Sequence, residues 1–160
     1  MSKQVKNMNQ QITSLKEVIV PTCEELLSMF GLEHKFMCEL TDKNLNSEDD
    51  INIHIKLTDG LNGNIIICFP DKTAYKIASA MLGGMDITSL DAMSKSALKE
   101  FSNMLCGNAL GKLSLSPAAD ISPPNIVSKS GLQTIQCPNH SKKLFFKIGE
   151  NKLTIAYNIE

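Results

Sequence analysis

The 160-residue chain is expected to fold as a single α+β domain spanning residues 1–160, a sandwich of long helices packed on a mainly antiparallel sheet. Three observations lead there. Apolar residues recur at spacings of three and four in some segments, the period of amphipathic helices, and alternate in others, the period of half-buried strands. A glycine-rich turn joins two strands directly, as antiparallel neighbours require. The order helix, strand, hairpin, helices, strands does not alternate one for one, which disfavours a parallel βαβ fold.

From Ile12, the residues Leu15, Val18, Ile19, Cys23, Leu26, Leu27 and Phe30 define a first helix that ends at Gly31. Pro21 falls opposite this stripe, where a kink toward solvent is expected. Phe36, Cys38 and Leu40 alternate with Lys35, Met37 and Glu39, reading as a strand before a polar loop, Thr41 to Asp50. Ile51, Ile53, Ile55 and Leu57 form a half-buried strand; Asp59-Gly60 and Asn62-Gly63 turn it into a second, Asn64 to Phe69, whose continuous apolar run suits a central position. Asp71 is expected to cap a helix from Lys72 to about Leu82, stopped at Gly83-Gly84. A long helix follows from about Asp91 to Ser114, then an extended segment enforced by Pro117, Pro123 and Pro124. Three strands should close the chain: Leu132 to Cys137, Lys143 to Ile148 and Leu153 to Ile159.

Composition excludes several function classes. All sixteen basic residues are lysine and the formal net charge is -1, so no basic excess and no guanidinium serve nucleic-acid binding. The longest apolar runs, such as Ile65-Ile66-Ile67-Cys68-Phe69, fall far short of the roughly 20 residues of a membrane span. With a polar N-terminus and no cleavage signal, the chain is expected to stay in the cytoplasm. Five scattered cysteines (Cys23, Cys38, Cys68, Cys106, Cys137) and isolated His34, His54 and His140 form no local zinc framework or Cys-His pair, and read as filler.

The long helix carries the chemistry. A rotation of about 100° per residue puts Met93, Ala97, Leu98, Phe101, Met104 and Leu105 on a core side. Ser96, Glu100, Asn103, Gly107 and Ser114 lie on another, with Glu100 and Asn103 about 60° apart around the axis. A carboxylate there can hold a lysine by charge, and a carboxamide can both donate to and accept from a water. Small neighbours, Ser96 and Gly107, let another protein approach. Such a pair suits acyl-phosphate hydrolysis, where a good leaving group awaits an in-line water. Two solvated polar residues on an exposed face would show the same spacing. Asn108 is expected to be a buried, hydrogen-bonded amide, Met81, Met85, Met93 and Met104 to fill the core, and Lys112 to be solvated near the strip's end.

The stretch Glu100-Phe101-Ser102-Asn103-Met104-Leu105-Cys106-Gly107-Asn108-Ala109 resembles the signature helix of the CheC/CheX/FliY family of response-regulator phosphatases, a Glu-x-x-Asn followed by glycine. Asp59 to Ile65 is similar to that family's glycine-rich hairpin, Ala78 to Met85 to the end of its first inner helix, and Asp120 to Val127 to its segment before the closing strands. A single motif points to the CheX branch. The resemblance implies a CheC-like sandwich and hydrolysis of the phosphoaspartate of a phosphorylated CheY-type regulator in chemotaxis signalling. It assigns Asn103 to orienting the attacking water and Glu100 to pairing with the regulator's lysine. It also implies a homodimer joined through the sheets. The chain would bring no cofactor of its own, the Mg²⁺ belonging to the regulator. The alternative is a non-catalytic module of the same fold that binds a regulator without turnover.

Overall fold

The computed structural model describes residues 2–42, 47–49, 51–135 and 141–160. They form α1 (Lys3–Met29), β1 (His34–Asp42), β2 (Ile51–Asp59), β3 (Gly63–Phe69), α2 (Asp71–Met81), α3 (Ala92–Gly111), β4 (Ala119–Ile121), β5 (Asn125–Val127), α4 (Lys129–Leu132), β6 (Ser141–Ile148) and β7 (Asn151–Ile159). The seven strands make one sheet in the order β1-β6-β7-β3-β2-β4, with β5 also on β2, and every pairing is antiparallel.

Helices α1, α2 and α3 share one face of the sheet, and α3 packs against both of the others. The core lies between the layers: Leu15, Ile19 and Leu27 of α1 and Leu98, Phe101 and Leu105 of α3 meet Ile53, Ile55, Ile65, Ile67 and Ile155 of the sheet. β3 is buried throughout, as its continuous apolar run required. On the opposite face Ile66, Cys68 and Ala156 form a small cluster with Leu132 of α4. Beside it the Asn64 amide donates to Asn158 Oδ1 at 3.0 Å, and its Oδ1 meets His54 Nε2 at 2.8 Å. This polar ladder crosses β2, β3 and β7.

Helix α1 is one continuous element with Pro21 on its exposed side, and it begins nine residues before the apolar stripe. Nothing in Lys3 to Gln11 breaks a helix, so the hydrogen-bonded spiral continues past the face it buries. Gly31, at φ 71°, closes it while Leu32 donates its N–H to Leu27 at 2.9 Å.

Strand β1 departs from simple alternation. Phe36 pairs with Phe146 and Cys38 with Phe145, so Met37 is an extra residue in a β-bulge. One added residue inverts the faces. Beyond it Glu39 turns half inward, while Cys38 and Leu40 are exposed. Lys16 of α1 meets Glu39 at 2.6 Å and Lys142 of β6 meets it at 3.4 Å, tying helix to edge strand.

Two further expectations are corrected. Asp71 does not cap α2: Pro70 holds the cap position and Asp71 supplies an acid to the first turn. Where a strand from Leu132 to Cys137 was expected, Ser128 Oγ accepts from the Gly131 N–H and starts the short helix α4, which presses Leu132 into the sheet. Residues 136 and 137, like Cys137 and His140 as candidate thiol and imidazole, lie outside the described residues, as do 43–46 and 50 of the loop Thr41 to Asp50.

Burial pushes the Glu39 carboxyl up, but the hydrogen bonds and charges of Lys16 and Lys142 outweigh it and hold the group below its ordinary value. The stability this supplies is complete above the unfolded glutamate value, about 4.3, and is lost as pH falls through the lowered folded value. Urea unfolding of wild type and Glu39→Gln should therefore differ by a constant margin near neutrality and converge below about pH 4; a margin that persists in acid would contradict the linkage.

Candidate active site

Helix α3 is fixed at both ends. Asp91 Oδ1 accepts from the Ser94 N–H and the Ser94 hydroxyl, each at 2.8 Å, and these bonds hold its carboxyl below the usual range. At the other end Lys112 meets Glu25 of α1 at 2.9 Å. Between them Ala97, Leu98, Phe101, Leu105, Cys106 and Ala109 are buried, with Phe101 edge-on to Phe69 of β3 at 6.3 Å. Ser102 is buried too and satisfies its hydroxyl on the Leu98 carbonyl at 2.9 Å. One strip remains open.

On that strip Ser96, Glu100 and Gly107 are exposed and Asn103 is half-buried. The Glu100 and Asn103 side chains make no hydrogen bond or ion pair among the described residues. Both line a groove of about 380 Å³, together with Ser96 and Lys99 on the α3 side and Pro123 and Pro124 opposite. The proline wall follows from the sheet edge: Ser122 accepts the Lys56 N–H on its hydroxyl at 2.8 Å and donates its own N–H to the Lys56 carbonyl at 2.9 Å. Two prolines then have no N–H to continue the ladder, and pairing resumes only at Asn125. Sequence reasoning used Pro123 and Pro124 to enforce an extended segment after the helix and within the run resembling the family's segment before the closing strands, and passed over Lys99; its spacing four residues before Asn103 was the available signal.

The wheel misplaced other residues. Met93 (47 % exposed) and Met85 (48 % exposed) face solvent rather than the core, whereas Met81 and Met104 pack against it. Met93 lies seven residues before Glu100, two turns along the same face, and so continues the open strip. Asn108 is exposed, not a buried amide. Lys112 is paired rather than merely solvated.

Three described thiols are buried and poorly placed for chemistry, while Cys38 is exposed. Burial pushes the Cys106 thiol up to about 12 and the Cys68 thiol to about 11, and Cys23 is raised by burial as well. Among the described residues no three His, Cys, Asp or Glu side chains converge as a metal site, and no helix is long and apolar enough to cross a membrane.

Residues 51–149 match the family model described as Chemotaxis phosphatase CheX. The chain belongs to the CheX family. That span contains every residue of the groove. The CheY-P phosphatase CheX of Thermotoga maritima is 34% identical over 111 residues, covering 69% of this chain and 72% of that one. CheX from Vibrio vulnificus superposes with a TM-score of 0.78 at 22% identity, over 91% of this chain and 99% of the other. A structure of the CheX-CheY-BeF3-Mg complex from Borrelia burgdorferi gives 0.74 at 20% identity, over 90% and 96%. These two likenesses establish the shared fold.

A Cβ on Gly107 would meet only Ile121 Cδ1, at 4.0 Å, so nothing inside the molecule demands a glycine there. Gly107→Ala should therefore raise stability by roughly 0.5–1 kcal/mol through helix propensity. Urea unfolding measures it, and a loss of stability would show that the space is not free.

Proposed function

We propose that this chain hydrolyses the phosphoaspartate of a phosphorylated CheY-type response regulator, with Asn103 orienting the water and Glu100 holding the regulator's lysine. The observation that carries this reading is the meeting of Glu100 and Asn103, both without side-chain partners, in one groove on the open strip of α3. The relative named CheY-P phosphatase supports it. In the step proposed, the water oxygen bonds to phosphorus as the bond to the aspartyl oxygen breaks. The carboxylate leaves, and the water's proton goes with the inorganic phosphate. The Mg²⁺ is part of the substrate protein, so this chain adds position to a site that already holds its own catalytic carboxylates. Ser96 and Gly107 leave the strip low enough for a partner to reach Asn103.

The reading extends to a cytoplasmic homodimer joined through the sheets. β1 ends the sheet, and its exposed Met37 (52 %) and Leu40 (56 %) support a covered edge in the assembly.

Phosphate release from a phosphorylated CheY-like protein tests the assignment. Asn103→Ala should lower stimulated release by about 10²-fold with docking largely kept. Glu100→Ala should act mainly on binding, by about tenfold. Release that is indifferent to Asn103→Ala would sink the catalytic role. Binding with no stimulated release by the wild type would favour the non-catalytic module.

A further inference from the structure

Four lysines are half-buried among the described residues: Lys16, Lys99, Lys142 and Lys143. Three of them have carboxylates: Lys16 and Lys142 meet Glu39, and Lys143 meets Asp42 at 3.1 Å. Lys99 has none, and its side chain makes no hydrogen bond or ring contact. It lines the groove with Glu100, Asn103 and the two prolines. Lys95, one turn earlier on the same side of α3, is exposed and brings no carboxylate either. Like charges at this spacing cost a helix a few tenths of a kcal/mol. Lys99 therefore brings to the groove a positive charge with no partner among the described residues, which an anion carried in by a docked protein can pair with.

We propose that Lys99 is a further specificity-determining residue of this site, pairing its ammonium with an anionic group of the docked phosphorylated regulator. The inference rests on the function proposed above. The anion is either the phosphoryl group or a carboxylate beside it; both are oxyanions of a size that the groove admits. With Glu100 next along the chain and about 100° around the helix, α3 presents a cation and an anion as adjacent points. A partner carrying a lysine and an oxyanion satisfies both in one rotational setting, which fixes how Asn103 meets the phosphorus.

The test compares initial rates of phosphate release for wild type, Lys99→Met, Lys99→Arg and Lys99→Glu across regulator and salt concentrations. Lys99→Met keeps the aliphatic stem against the prolines and removes the charge. It should raise KM by about five- to tenfold, leave kcat within about twofold and flatten the salt dependence of kcat/KM. Lys99→Glu should do more, and Lys99→Arg should remain near wild type. Binding to the regulator with and without beryllofluoride separates the sources: a Lys99→Met deficit confined to the loaded form assigns the phosphoryl group, and one present in both assigns a carboxylate. An unchanged KM and salt slope in Lys99→Met, or equal impairment in Lys99→Arg, overturns the inference while active wild type leaves the phosphatase reading standing. Wild type that releases no phosphate overturns both.

Discussion

Helix α3 is held on three sides, by α1, by α2 and by the sheet beneath, and this confinement governs the rest of the molecule. A helix buried over so much of its surface needs small or apolar residues around most of its circumference, which accounts for Ala97, Ala109 and the self-satisfied Ser102. Polar side chains are then confined to the sides that reach solvent: Lys95, Ser96, Glu100 and Asn108 are exposed and Lys99 and Asn103 half-buried. Glu100 and Asn103 lie together on the solvent side, where an unpaired carboxylate or amide avoids the desolvation cost of some kcal/mol that the buried sides of the helix impose. Packing, rather than any contact between the two residues, brings them together.

The second wall of the groove comes from an interrupted edge. β4 and β5 lie along the same side of β2 and are separated at Pro123 and Pro124, which have no N–H for the ladder; the register shifts by one residue across this gap. Ser122 bonds Lys56 in both directions, which fixes the chain up to the point where the prolines leave the sheet. Gly60 lets the same segment approach closely: a Cβ there would stand 1.9 Å from the Pro117 carbonyl oxygen. The groove thus has one wall set by helix packing and another set by missing donors. Both are built from contacts within the chain itself.

Much of this was legible in the sequence, and the exceptions have separate physical causes. The hairpin, the inner helix and the start of α3 follow from periodicity and turn residues, because local and tertiary preferences agree there, whereas α3 ends at Gly111, short of the expected Ser114. The inversion in β1 did not, since a bulge at Met37 leaves no mark in a pattern of alternating residues. Met93 was assigned to the core for its apolar side chain, although seven residues at about 100° each put it on the face of Glu100, where it is exposed. Leu132, expected to open a strand, instead ends the short helix 129–132 that the Ser128 cap starts, a local side-chain bond that alternation does not reveal. The Glu-x-x-Asn spacing could be read directly, but its proline wall could not, because it depends on a sheet register between residues 56 and 122.

The make-up of the groove bears on what kind of catalysis it can support. Among the described residues that line it there is no histidine or cysteine, and Ser96 makes no hydrogen bond to Glu100 that would raise its nucleophilicity. Covalent transfer to this chain is therefore poorly served, whereas orientation needs only a short amide on a fixed backbone. An asparagine has two rotatable bonds, and half-burial of Asn103 beside a packed helix removes much of that freedom before any partner arrives. On the proposed reading, an effect of about 10²-fold corresponds to about 2.7 kcal/mol, within what fixing one water can supply. A gain of that size is lost if the amide drifts by about an ångström. The extensive burial of the opposite side of α3 is thus the physical condition for the chemistry on its open side.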